Sequence, residues 1–98
     1  MNYLAEVIQA LPGDDFTVYA YFSDGTIKHA DIKPLIEKGG VFAQLADSGL
    51  FEKSLTVINH AVAWDIEGMR NPRTCIDIDP CSMYEECPTV KDPFSHVA

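Results

Sequence analysis

The stretch FTVYAYFSDGTIKHA, residues 16–30, constrains the fold more than any other part of the chain. Phe16, Val18, Ala20 and Phe22 alternate with Thr17, Tyr19 and Tyr21, the period of a strand with two distinct faces. Asp24-Gly25 then falls between two strand-like runs. A tight reversal there needs positive φ, which glycine accepts without steric cost, so TIKHA returns antiparallel to the first strand.

The flanking segments extend this pattern. Upstream, YLAEVIQALP carries Leu4, Val7 and Ile8 as apolar positions before a Pro-Gly-Asp-Asp turn at Pro12 to Asp15. Downstream, DIKPLIEKGG changes character. Pro34 suits the first turn of a helix, Asp31 stands ahead of it as a cap, Leu35 and Ile36 form its apolar side, and Gly39-Gly40 stop it. VFAQLADSGLFEK predicts another helical turn or two around Phe42 and Leu45, broken at Ser48-Gly49, with Leu50 and Phe51 anchoring the next segment. SLTVINHAVAWDI returns to strand chemistry and predicts a second hairpin that reverses at Asn59-His60. EGMRNPRT reads as a loop by its Gly, Asn and Pro.

The run TCIDIDPCSMYEEC, residues 74–87, holds all three cysteines. Ile76 and Ile78 alternate with Cys75, Asp77 and Asp79, so a further strand buries the isoleucines and turns Cys75 and the acids outward. Asp79 caps a short helix with Pro80 at its first position, and Ile78 and Met83 take the hydrophobic-staple positions. Met83, Tyr84 and Cys87 share one stripe of that helix. Beyond Pro88 the chain is expected to be extended or frayed. The expected architecture is α+β over residues 1–88, a small antiparallel sheet of two hairpins plus a further strand, with short helices and a C-terminal tail at 89–98.

Size and charge bound the function. At 98 residues, folding buries roughly 60–70% of the unfolded chain's surface, enough for one core. No repeat is visible, and no stretch approaches the ~20 apolar residues of a membrane span. The start, MNYLAEVIQ, lacks the basic and apolar parts of a secretory signal. Three cysteines cannot all pair within one chain, which suits a reducing compartment, so the expected location is cytoplasmic. The net charge of −8 repels phosphate backbones, and the bases Lys28, Lys33, Lys38, Lys53, Arg70, Arg73 and Lys91 are scattered. Unaided nucleic-acid binding is disfavoured, and a basic protein partner suits the acidic surface.

Each chemical constellation has a structural explanation beside it. The cysteine spacing is C-x5-C-x5-C, whereas zinc knuckles present C-x2–4-C pairs, so the thiols read as the rim of an ordinary fold. Cys81 sits near a helix start, which lowers a thiol pKa, but Asp77, Asp79, Glu85 and Glu86 oppose that. Those acids lack the D-x-D-x-D-G loop of a calcium site. No cofactor or metal ligand set emerges. Trp64, Phe42 and Phe51 belong to the core. Tyr19 and Tyr21 face away from Phe16, Val18 and Phe22, and they mark an interaction surface if nothing in the chain covers them.

The order of these features resembles a bacterial domain-of-unknown-function family, number 2442. The residues that carry the likeness are Phe22, Ser23, Asp24 and Gly25; Asp31 and Leu35; Gly40, Phe42, Leu45 and Asp47; Phe51; Trp64; and Asp77, Asp79, Pro80 and Tyr84. They span roughly residues 3–88. The resemblance implies a small α+β domain with an antiparallel sheet, and no established reaction, so it implies no catalytic residues. Some relatives are joined to a helix-turn-helix DNA-binding domain, which is not expected in these 98 residues. Others accompany small partners in toxin–antitoxin-like pairs. EGMRNPRTC replaces a shorter link found after the tryptophan in relatives. The expected function is a non-enzymatic protein-interaction or regulatory domain. The alternatives are a small-molecule or metal-binding enzyme using the Cys75–Cys87 region, and a nucleic-acid-associated module.

Overall fold

Alternation along residues 17–22 builds the central strand of the first sheet. In the computed structural model, which describes residues 4–94, strand β2 (Thr17–Phe22) buries Val18, Ala20 and Phe22 and leaves Thr17, Tyr19 and Tyr21 half-buried on its other face. Strands β1 (Val7–Pro12) and β3 (Ile27–Asp31) flank it, both antiparallel, in the order β1-β2-β3. The β2–β3 reversal uses a three-residue loop, Ser23 to Gly25, closed by Phe22 N–H donating to Thr26 O at 2.8 Å. Gly25 supplies φ of 91°, and Asp24 Oδ1 accepts from Thr26 N at 2.9 Å.

The second sheet contains β4 (Leu55–Ile58), β5 (Ala61–Trp64) and β6 (Ile76–Asp77), antiparallel in the order β4-β5-β6. Asn59 and His60 make its two-residue turn with φ of 52° and 60°, the left-handed pair that this tight hairpin requires. All four residues of β5 are buried. The expected strands therefore divide between two sheets. Val7 N–H donates to His60 O at 2.8 Å and ties them together, with β1 lying against β4 and β5.

Short helices close the core. Helix α1 (Lys33–Lys38) carries Pro34 in its first turn and ends at Gly39 and Gly40, with φ of 87° and 64°. Its cap position is Ile32, not Asp31. Asp31 still ends β3, paired with Thr17, and its Oδ1 accepts from Lys33 N at 3.1 Å. A 3₁₀ helix (Gly40–Ala46) then buries Leu45. Ser48-Gly49 does not break the following segment, contrary to expectation. These residues open helix α2 (Ser48–Ser54), because the break falls at Asp47, whose Oδ1 accepts from Gly49 N at 2.9 Å and Leu50 N at 3.3 Å. Helix α3 (Pro80–Glu86) starts as expected: the Asp79 carboxylate accepts from Cys81 N and Ser82 Oγ, and Met83 is buried.

The core is aromatic at its centre. Phe51 packs edge-on to Phe16 at 5.3 Å and lies 5.4 Å from Trp64, which also meets Phe42 at 6.3 Å. Fully burying side chains of this size stabilises by about 1.5–3 kcal/mol each, so Trp64, Phe51 and Phe22 hold the two sheets and α2 together.

Candidate functional site

Tyr19 and Tyr21 lie on the face of β2 opposite Val18 and Ala20, and the chain's own C-terminal segment covers them in part. After α3, residues 88–90 run antiparallel along the outer edge of β3. His29 N–H donates to Pro88 O at 3.0 Å and Val90 N–H to Ile27 O at 2.9 Å, with Lys28 directly opposite Thr89. The chain then turns at Pro93 and Phe94. Asp92 Oδ1 accepts both the Tyr21 hydroxyl at 2.7 Å and Phe94 N–H at 3.0 Å. The Phe94 ring stands edge-on to Tyr19 at 5.6 Å, and Tyr19 stacks on the His29 imidazole at 4.3 Å. Loss of solvent around Tyr21, followed by the neighbouring Asp92 carboxylate, pushes its phenol up to about 12. Residues 88–94 are thus docked on the sheet. Positions 95–98, including His96, lie outside the described residues.

Two neighbours of this surface were not singled out as site residues by the sequence. Lys28 looks like one of the scattered surface bases, yet it is only 8% exposed. Strand parity explains this: Lys28 pairs with Ala20 and shares the inward face with Ala30. Its Nζ donates to Thr89 Oγ1 at 2.8 Å and stands 5.1 Å from the centre of the Tyr84 ring, so a cation–π contact offsets part of its desolvation. The Tyr84 hydroxyl donates to Asp24 Oδ2 at 2.7 Å, joining α3 to the β2–β3 loop. That bond, with Thr26 N–H, holds the Asp24 carboxyl below its ordinary range. His29 is the second neighbour. Its Nε2 is buried and has no hydrogen-bond partner among the described residues.

The cysteines are free thiols, one ahead of β6 and two at opposite ends of α3. Cys75 precedes β6, with its Sγ 3.7 Å from Pro72 O; Cys81 is exposed in the first turn of α3; Cys87 is half-buried at that helix's C-cap. Burial and then Asp77 push the Cys75 thiol up. Burial and then Glu86 do the same to Cys87, against the opposing pull of Lys28. Both thiols are consequently poor sources of thiolate at neutral pH. Among the described residues no group of three or more His, Cys, Asp and Glu is placed to hold a metal ion. Likewise no described helix is long and apolar enough to cross a membrane.

The loop after the tryptophan borders a cleft of about 630 Å³ between α2 and the start of β4. Two of its charged groups, Asp65 and Arg70, hold the loop. The Asp65 carboxylate accepts from Gly68 N at 3.1 Å and Arg70 N at 2.9 Å. The Arg70 guanidinium donates to Val57 O at 2.8 Å and to Thr56 Oγ1 at 3.2 Å, clamping the loop on the outer edge of β4. These contacts give EGMRNPRT a structural role.

No curated protein and no solved structure shows a significant match to the chain. A family model described as a protein of unknown function, DUF2442, matches residues 7–89, from the first strand to the residue opposite Lys28. This match spans both sheets and helices α1 to α3, and on that ground the chain belongs to the DUF2442 family.

Proposed function

We propose that this protein is a non-enzymatic protein-interaction domain, a regulatory or antitoxin-like accessory protein that works by holding a partner and not by turning over a substrate. The observation that carries this reading is the outer edge of β3. It accepts an extended segment as an added strand beside the two half-buried tyrosines. Strand addition of this kind takes affinity from main-chain hydrogen bonds and specificity from alternate side chains. The net charge of −8 favours a partner with a basic surface and steers its approach. The thiols at positions 75 and 87, raised by burial, fit a scaffold role.

The test is position-specific cross-linking in the source cell. A photoreactive phenylalanine analogue replaces Tyr19 in one full-length protein and the exposed Glu52 of α2 in another. One stoichiometric partner captured from position 19 and absent from position 52 is the expected result. Identical captures from both positions, or none from position 19, overturn the proposal.

A further inference from the structure

Two sheets present four edges, and the protein treats one of them differently from the other three. A bare edge strand is a template for another chain, and native sheets blunt such edges. β1 is blunted by the irregularity between Val7 and Gln9, by Pro12, which has no N–H, and by its packing against β4. β4 is capped by Arg70 on Val57 O. β6 is only two residues long. β1 and β6 are thus blunted by features of the strands themselves, and β4 by a single side chain. β3 has five residues, no proline and no bulge, and its outer groups are met by residues 88–90.

That cover differs in kind from the others. Pro88, Thr89, Asp92 and Phe94 are exposed. The family match stops at Thr89, so Val90 to Phe94 lie beyond the matched residues. The edge is also incompletely satisfied, since His29 Nε2, on the strand that the cover pairs with, is buried without a partner among the described residues. A segment held by a few hydrogen bonds and one ring contact belongs to the low-stability end of a structure and opens locally.

We infer that the β3 edge is a docking groove for an extended segment of a partner protein, held shut by residues 88–94, which occupy it as an internal competitor. The inference deepens the interaction reading above and rests on it. The internal strand shows what the groove selects. It takes a hydroxyl residue opposite Lys28, an acid three residues later to accept from Tyr21, and an aromatic five residues later against Tyr19. The partner's basic character lies outside this segment. Binding is weakened by the fraction of time the groove is closed, so loosening the strap tightens it.

The test uses the full-length protein and a labelled peptide, Pro-Thr-Val-Lys-Asp-Pro-Phe, read by fluorescence anisotropy. Asp92→Ala in the protein removes the Tyr21 contact from the internal competitor and leaves the core intact. It is expected to tighten peptide binding roughly five- to tenfold over wild type, as loss of about one hydrogen bond predicts. Replacing Asp by Ala in the peptide is expected to weaken binding to both proteins. Equal binding by wild type and Asp92→Ala overturns the inference. So does absence of binding to a variant whose Val90 amide exchanges freely with solvent, since the groove is then open and takes nothing. Neither result touches the position-19 cross-link, which stands or falls separately. Sedimentation of wild type showing a dimer that Asp92→Ala abolishes would give the groove to a second copy and overturn the partner assigned here.

Discussion

Replacing Trp64 by phenylalanine tests the packing of the core through a cancellation of terms. Trp64 is wholly buried on the central strand β5, and its indole Nε1 finds no acceptor among the described residues. Leaving such a donor unpaired costs about 1–3 kcal/mol, which phenylalanine recovers. Against this, the smaller ring leaves a cavity of about 40 Å³, at a cost of ~1 kcal/mol. It also forfeits about 40 Å² of buried apolar surface, another ~1 kcal/mol. Trp64→Phe should therefore fall within about 1 kcal/mol of wild type, whereas Trp64→Ala should lose about 3–5 kcal/mol. Urea unfolding followed by far-ultraviolet circular dichroism reads both, since the variants lack tryptophan fluorescence. A loss above about 3 kcal/mol for Trp64→Phe would refute the reasoning, because only a well-paired indole N–H has that much to lose.

Three further predictions concern turns, titration and thiols. His60→Gly relieves a left-handed φ of 60° and should stabilise by a few tenths to about 1 kcal/mol after the unfolded-state entropy of glycine is subtracted; a urea midpoint below wild type would contradict it. Tyr21 titrates higher folded than unfolded, so its contribution is complete below pH 10.0 and is lost as pH rises through about 12; Tyr21→Phe should remove that part of the alkaline loss of stability, and an unchanged slope would show that burial and Asp92 together do not hold the phenol protonated. Alkylation followed by peptide mass spectrometry should modify the exposed Cys81 before Cys75 and Cys87; either of the latter reacting first would reveal an activated thiol and revive an enzymatic use of the Cys75–Cys87 region.

Local chemistry made part of the fold legible in the sequence. The β2–β3 hairpin follows from six alternating residues and one glycine, and Asn59-His60 from its place between two apolar runs. The start of α3 follows from Asp79, Pro80 and the Ile78–Met83 staple spacing. Where the local rule was ambiguous, the boundary slipped. Ser48-Gly49 has the composition of a break, and only the carboxylate one residue earlier, reaching Gly49 N and Leu50 N, turns it into the first turn of α2. Asp31 erred in the opposite sense: it has the composition of a cap, but its backbone is still engaged with Thr17 in the sheet.

The candidate site depended on pairings that no local pattern carries. Alternation placed Tyr19 and Tyr21 on a common face, but their cover comes from Asp92 and Phe94, about seventy residues away, in a stretch with little apolar pattern. Lys28 could have been placed inward by the same parity as Ala30, had strand phase been weighed above residue type. A lysine is almost never buried without a partner, so its inward position requires acceptors or an aromatic face from distant chain. Tyr84 and Thr89 supply both, one from α3 and one from the strap. The strap therefore serves Lys28 on one face of the sheet and the tyrosines on the other. On the proposal above, a segment that displaces it would have to offer a hydroxyl to Lys28 as well as an acid and an aromatic ring to the tyrosines, and this double demand would make the groove selective.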